Sequence, residues 1–293
     1  MSSPYSNLER PGLNLGALRT ALCMPAGPFP RLDIVATTGS TNTDLVEHAQ
    51  VEAAGWPDLS VLAAETQTAG RGRMDRSWVA PERSSLFVSV LLRPFNRHGR
   101  PVPTTAYSWF SLLAALALAE SVEERTRISP QLKWPNDVTV DGRKLAGVLA
   151  QFVPGAGAEP PAVVVGVGLN VSLTDDELPV PTATSLLLEY AGTTDRNVLL
   201  KSFLRTFADH YRAFCDVDGD AGAAWDAGPS LLARIGARMA TLGQDVRAEL
   251  PGGTVVAGRA LSLDARGGLV VRDDDGERHT ISAGDVVHLR PQA

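Results

Sequence analysis

Three clusters of residues have the types and spacing that chemistry needs. Gln67-Thr68-Ala69-Gly70-Arg71-Gly72-Arg73 alternates glycine with arginine, and Arg76 follows. Glycine lets backbone N–H groups approach an anion closely and lets a loop reorganise around it. Arginine offers a planar fork of donors that stays charged, suited to a carboxylate or a phosphate. Lys133-Trp134-Pro135-Asn136-Asp137 presents Asn136 and Asp137 at a strand end, with Pro135 setting the exit from the strand. Lys144-Leu145-Ala146-Gly147 adds a flexible cation that can place a point charge on a phosphate or a developing oxyanion. Cations, a carboxylate and mobile glycines together equip one domain to handle a nucleotide phosphate and a small carboxylate.

Each cluster also has a plainer reading. Gly-Arg-Gly-Arg alone fits a solvated basic turn, Pro-Asn-Asp is ordinary turn chemistry, and a lone lysine at a hairpin start is usually solvated. Ser40-Thr41-Asn42 lies at a predicted helix start, where such residues serve as caps. Gly166-Val167-Gly168-Leu169-Asn170 lacks the third glycine and the following helix of a dinucleotide fingerprint. It fits a bulged strand end with Asn170 aimed at a ligand better. The arginine loop lacks Walker spacing, no Gly-x-Ser-x-Gly elbow occurs, and the five histidines show no zinc-ligand spacing.

These residues must be positioned by elements that the patterning predicts. Residues 1–29 are broken by prolines and glycines and predict a short, partly ordered arm. Arg31 to Ala36 predicts a strand ending at Thr38-Gly39, followed by a helix with capping-box spacing between Thr41 and Asp44. Strands are predicted over Val61–Ala64, Leu86–Leu92, Gln131–Trp134 and Val163–Val171. Val138–Val140 and Leu145–Phe152 form a predicted hairpin about Asp141-Gly142. Trp109, Leu112, Leu113, Leu116 and Ala117 predict a largely buried helix; Leu200, Phe203, Leu204, Phe207, Tyr211 and Phe214 predict an amphipathic one. Strands come in runs rather than strict alternation with helices, which predicts an α+β domain with a mixed sheet over residues 30–235. After about residue 235, some five short strands with tight turns predict a small β-barrel over residues 236–293.

The chain has 293 residues, 44% of them hydrophobic, and a formal net charge of −6. That length supports a sizeable core, and the charge argues against generic binding to nucleic acid or to an acidic membrane. Cys23 and Cys215, far apart, are read as free thiols in a reducing compartment. With no targeting segment and no apolar run of membrane-spanning length, the expected location is the cytoplasm. The strands near Leu86–Leu92 and Val163–Val171 are candidates for pairing between chains, but no feature decides the oligomeric state.

Gly39-Ser40-Thr41-Asn42, the Gln67–Arg73 loop, Lys133–Asp137, Lys144–Gly147 and Gly166–Asn170, taken in this order, resemble the signature of biotin protein ligases. The likeness runs from about residue 31 to residue 293, with the terminal strands similar to that family's SH3-like domain. The resemblance implies ATP-dependent attachment of biotin to a lysine of a biotin carboxyl carrier domain of biotin-dependent carboxylases. It proceeds through biotinoyl-5'-AMP and releases pyrophosphate and AMP. It further implies that Ser40, Thr41 and Gln67 hold the ureido ring, with Asn42, Gly70 and Gly147 completing the biotin and adenylate site. Arg71, Gly72 and Arg73 close over the ligand. Arg73 and Lys144 stabilise charge at the reacting centre, and Asp137 orients the incoming lysine or accepts its proton. Arg76, Trp78, Asn136 and Asn170 fall on the ATP side. Magnesium is expected with the triphosphate, with its ligands unassigned.

Two departures from the family pattern stand out. Met74-Asp75 lies where many members carry small or basic residues. The stretch before the first predicted strand is short and lacks a helix-turn-helix pattern, so the expectation is a ligase that does not bind operator DNA. Lipoate ligases and octanoyltransferases share the catalytic fold, but their Arg-Arg-x-x-Gly-Gly-Gly signature is absent. A biotin sensor acting only by binding is the other alternative, and the charge and the missing DNA-binding pattern speak against it.

Overall fold

The computed structural model describes residues 10–74, 76–155, 160–226, 228–250 and 253–282, and the backbone of 285–288. The first nine strands are β1 (Leu32–Thr38), β2 (Ser60–Gln67), β3 (Gly70–Arg71), β4 (Ser77–Trp78), β5 (Ser85–Leu92), β6 (Gln131–Lys133), β7 (Asp137–Val140), β8 (Arg143–Val153) and β9 (Ala162–Asn170). Seven of them form one sheet in the order β1-β2-β5-β9-β8-β7-β6, while β3 and β4 make a separate ribbon. β1 and β2 run parallel and the other neighbours antiparallel, so the sheet is mixed as expected. β5 and β9 lie in its centre, paired on both edges. This removes them as candidates for pairing between chains.

Period-2 alternation gives the sheet two different faces. Val88 and Val90 of β5, Val148 of β8, and Val163, Val165 and Val167 of β9 face a layer made by α3 (Trp109–Thr126) and α4 (Arg196–Asp216). α3 is apolar almost all round because it lies between the sheet and α4. Phe110 and Phe214 lock the two helices edge to face at 5.8 Å. On the second face, α2 (Thr41–Val51) covers one end, with Leu45 and Ala49 against Leu62, Leu91 and Val164. The rest of that face carries Ser89, Gly147, Gly166 and Gly168, and the β3–β4 ribbon lies over it.

The hairpin between β7 and β8 turns at Asp141 and Gly142, both at positive φ (48° and 77°), the signature of a type I′ turn. Beyond α5 (Leu231–Arg238) a second sheet forms from β10 (Asp245–Glu249), β11 (Val255–Leu263), β12 (Leu269–Arg272), β13 (Arg278–Ile281) and β14 (Asp285–His288). Its strands are antiparallel in the order β13-β12-β11-β10-β14 and make a small SH3-like unit. Among the described residues, no helix is long and apolar enough to cross a membrane, and both cysteines are free.

Two elements differ from the sequence expectation. The arm contains α1 (Leu15–Leu22), with Leu18 and Leu22 buried in the main core and Asn14 capping it through its side chain. Eight residues among prolines and glycines are too few for a clear helical period, and packing against α4 supplies the stability. α5 was likewise hidden by its length, although Leu231 and Ile235 are fully buried. Leu22→Ala should therefore destabilise the protein by about 2–5 kcal/mol in denaturant unfolding. A cost below about 1 kcal/mol, the range of surface changes, would show that α1 is an appendage.

Candidate active site

The floor of the site is a patch of sheet without side chains. Gly147 of β8 and Gly168 of β9 are register partners, and Gly166 lies two residues along. A Cβ on Gly168 would stand 2.8 Å from the Trp78 ring, and one on Gly147 would also meet that ring at 2.8 Å. A Cβ on Gly166 would collide with Asn42 Oδ1 at 2.1 Å. These glycines let Trp78 and Asn42 lie against the strands. β9 keeps regular register with both neighbours, so the expected bulge at its end is absent.

A bulge does occur in β8. Val138 pairs with Ala146 and Thr139 with Lys144, which leaves Leu145 as the extra residue. Ala146 and Val148 face the α3–α4 core. In unbroken alternation Lys144 would face it too; the extra residue rotates it to the glycine face. Lys144 Nζ there lies 2.7 Å from Asp137 Oδ1, an ion pair whose angles fall outside hydrogen-bond range. The same ammonium sits 5.4 Å from the Trp78 ring centroid. Backbone bonds from Lys144 N to Thr182 O (2.7 Å) and from Thr184 N to Lys144 O (2.8 Å) fix this position.

A polar corner closes one end. Gln67 Oε1 accepts from Thr41 N at 2.8 Å and from Thr41 Oγ1 at 3.0 Å. Ser89 Oγ lies 2.7 Å from Thr41 Oγ1 and 2.6 Å from Asn42 Oδ1, and Asn42 Nδ2 donates to Leu149 O at 3.0 Å. Ser40 is the N-cap of α2 but makes no side-chain capping bond; Thr38 Oγ1, not Thr41, bonds Asp44. The capping-box reading of Thr41 is thereby corrected: its hydroxyl is committed to Gln67.

The arginine loop is the turn of the β3–β4 ribbon. Gly72 N donates to Arg76 O at 2.6 Å, and Met74 adopts a positive φ of 53°. A Cβ on Gly70 would meet Trp78 O at 2.6 Å, so the base of the ribbon requires glycine there. Arg73 is half-buried. Burial lowers its pKa, Asp137 opposes that, and Arg76 adds to it. Asp75 lies outside the described residues, so the Met74-Asp75 departure is described at Met74 alone.

Floor, corner, ribbon and the Lys133–Asp137 strand end enclose a cavity of about 970 Å³. Ser40, Thr41, Asn42, Gln67, Arg71, Gly72, Arg73, Arg76, Trp78, Asn136, Asp137, Lys144, Gly147 and Asn170 all line it. Gly70 does not line it; its role is the ribbon's close packing. Asn136 Nδ2 donates to Val148 O at 2.5 Å, and Asn170 Nδ2 to Thr184 O at 2.9 Å, so both amides brace the walls they stand in.

The model of the Biotin/lipoate A/B protein ligase family matches residues 35–170, and that of the Biotin protein ligase C terminal domain matches residues 241–289. The chain is 41% identical to the biotin–[acetyl-CoA-carboxylase] ligase of Mycobacterium tuberculosis over 96% of this chain and 97% of that one. It is 32% identical to the enzyme of the same name from Paracoccus denitrificans, over 86% of this chain and 98% of that one. The chain belongs to the biotin protein ligase family. The solved structure of biotin protein ligase from Aquifex aeolicus in complex with biotin and ATP superposes on this ligase-family chain with a TM-score of 0.67. Its identity is 26%, and the match covers 89% of this chain and 100% of that one.

The motifs missed several parts of this ligase-family cavity. Ser89 joins the polar corner but lies within the predicted strand Leu86–Leu92, where a serine carries no signal of its own. Pro179, Val180, Thr182 and Ala183 form a wall that no motif marked. Lys133 lines the cavity, although the sequence assigned it no role. Away from the cavity, Asp273, Glu277 and His279 bring ligand-capable atoms within 4.8 Å at the β12–β13 turn. His279 Nε2 pairs with Asp273 Oδ2 at 2.6 Å, which accounts for their proximity.

Gly168→Ala tests the floor directly. Its methyl group should displace the Trp78 indole and shift tryptophan emission, and the shift should vanish in a Trp78→Phe background. The cost to stability should be about 1–3 kcal/mol, that of overpacking. Unchanged emission from Gly168→Ala would place Trp78 away from the glycine floor.

Proposed function

We propose that this protein activates biotin with ATP as biotinoyl-5'-AMP and transfers the biotinoyl group to a lysine of a biotin carboxyl carrier domain. In this reading residues 30–235 carry the chemistry and 236–293 form the accessory SH3-like domain. The observation that carries it is the convergence of the family's motifs on one cavity, with the Lys144–Asp137 pair at 2.7 Å beside the arginine ribbon. The Thr41–Gln67–Ser89 corner offers donors and acceptors together, the match a buried urea requires.

In the first step a biotin carboxylate oxygen bonds to the α-phosphorus, and the bond from that phosphorus to the pyrophosphate oxygen breaks. Lys144 and Arg73 supply positive charge where negative charge builds. Arg71, Gly72 and Arg73 close the ribbon and exclude water from the mixed anhydride. Arg76, Trp78, Asn136 and Asn170 belong to the nucleotide side. In the second step the carrier amine bonds to the acyl carbon and the bond to AMP breaks. Asp137 orients that amine and accepts its proton.

Asp137 is the one carboxylate lining the cavity among the described residues, and Lys144 already engages its Oδ1. A magnesium ion brought with the triphosphate would be met by Asp137, the one carboxylate among the described lining residues. Such an ion, when bound, neutralises charge on the leaving pyrophosphate.

The test is biotin- and ATP-dependent mass gain on the lysine of a purified biotin carrier domain, with lipoate as competitor. Gain from biotin alone is expected. Gain from lipoate would move the protein to the sister activity, and biotin binding without transfer would leave a sensor. Lys144→Ala should slow adenylate formation roughly hundredfold or more, the range for losing one preorganised charge-stabilising group. Its stability should fall by about 1–3 kcal/mol at most, the cost of leaving the buried Asp137 Oδ1 without its cation. Adenylation at the wild-type rate would remove Lys144 from the mechanism.

A further inference from the structure

We propose that the C-terminal domain positions the nucleotide side of the active site through Trp134, with Thr241 and the 264–268 turn as the positioning elements. The inference rests on the ligase reading above. β6 is the outer strand of the large sheet, and the segment after α5 meets its free edge. Ala240 N donates to Leu132 O at 2.8 Å, and Leu132 and Met239 form a parallel bridge. Two residues further along the chain, in the β6–β7 turn, Trp134 N donates to Thr241 Oγ1 at 3.0 Å, and Thr241 is fully buried.

The second hold is on the indole. Asp264 stiffens the β11–β12 turn: its Oδ1 accepts from Arg266 N at 2.8 Å and Gly268 N at 2.7 Å. The stiffened turn offers three successive carbonyls to the catalytic domain. Ala265 O accepts from Trp109 Nε1 at 3.0 Å, Arg266 O from Ser108 Oγ at 2.7 Å, and Gly267 O from Trp134 Nε1 at 2.9 Å. Gly267 has a φ of +77°, a left-handed conformation that favours glycine, and a Cβ there would stand in van der Waals contact with Leu112 and the Trp109 ring at the start of α3.

Trp134 is therefore held at its backbone and at its ring by residues that do not line the cavity. Lys133 precedes it and Asn136 and Asp137 follow it on the cavity wall. Reaction rates fall steeply with small misplacements of reacting groups, so loosening Trp134 is felt at Asn136 on the nucleotide side and at Asp137, which holds Lys144. The polar corner hangs instead on α2, β2, β5 and β8, and its hydrogen bonds run among those elements. The geometry separates the two substrates: the C-terminal domain governs the ATP-dependent step and leaves biotin binding alone.

Thr241→Val keeps the shape and removes the acceptor; Thr241→Ser keeps the acceptor; Asp264→Ala loosens the turn from outside the cavity. In the full chain, biotin Kd and the ATP kinetics of adenylate formation are measured for each. Thr241→Val and Asp264→Ala should lower kcat/KM for ATP about tenfold, the scale of one unsatisfied buried donor. Biotin Kd should stay at the wild-type value, and Thr241→Ser should restore the ATP kinetics. Wild-type ATP kinetics in both Thr241→Val and Asp264→Ala would overturn the inference. So would a parallel loss of biotin affinity, the mark of a merely structural role. Absence of adenylate from the wild-type protein would overturn the ligase reading itself, and this inference with it.

Discussion

The missing side chains at Gly147, Gly166 and Gly168 are the constraint on which the site depends. An antiparallel sheet can leave one face to solvent or ligand if the other face carries the core. Here β5, β8 and β9 direct valines toward α3 and α4, and that face supplies the burial. The second face is then free to hold a ring and an amide against bare backbone. A methyl group at any of the three positions would meet Trp78 or Asn42 at 2.8 Å or less. The polar corner and the tryptophan both rest on that floor, so the cavity's shape follows from a backbone without side chains more than from the residues that line it.

Charge is distributed against the bulk composition. The chain carries a formal −6, yet Arg71, Arg73, Arg76, Lys133 and Lys144 line the cavity with Asp137 as the one carboxylate among the described lining residues. A cleft lined by one sign of charge focuses its field on the ligand it faces. Clustering cations is costly, which is visible at Arg73, where burial and Arg76 push the pKa down and Asp137 opposes them. Asp137 holds Lys144 as well, at 2.7 Å with both side chains partly exposed. The exposure lies mainly on the lysine, since Asp137 Oδ1 itself is buried, so in the proposed reading the ammonium meets an arriving anion while the carboxylate stays in the wall.

The large sheet was legible in the sequence because β5, β8 and β9 are long and mostly apolar and the short β6 and β7 are bounded by Pro135 and the Asp141-Gly142 turn, and α3 and α4 because they are long. α1 and α5 were not, since eight residues each give too little period and tertiary packing decides them. The site was legible where glycine, arginine and lysine recur in motifs. Ser89 was not, because one serine in an apolar strand looks like any other until Thr41 and Asn42 fold over it. The bulge was placed in the wrong strand. Gly-Val-Gly suggested it in β9, while the extra residue is Leu145, an ordinary apolar residue whose register depends on how β7 meets β8. Non-local pairing, not local composition, turns Lys144 toward the cavity.

The two halves of the cavity differ in how firmly they are held. The floor belongs to the large sheet backed by the core, and the Lys133–Asp137 wall is the β6–β7 turn at its edge, gripped from behind through Trp134. The arginine ribbon is two residue pairs, Gly70 with Trp78 and Arg71 with Ser77. Beyond those pairs its turn is held by Gly72 N to Arg76 O at 2.6 Å and Arg76 N to Arg73 O at 3.2 Å, a ladder far shorter than those of the large sheet. Its base is still defined, because Trp78 O stands 2.6 Å from where a Gly70 Cβ would be. In the proposed reading the ribbon's arginines close over an anion while Trp78 stays on the glycine floor. That reading puts the groups to be positioned on the large sheet and the groups that enclose on the two-pair ribbon.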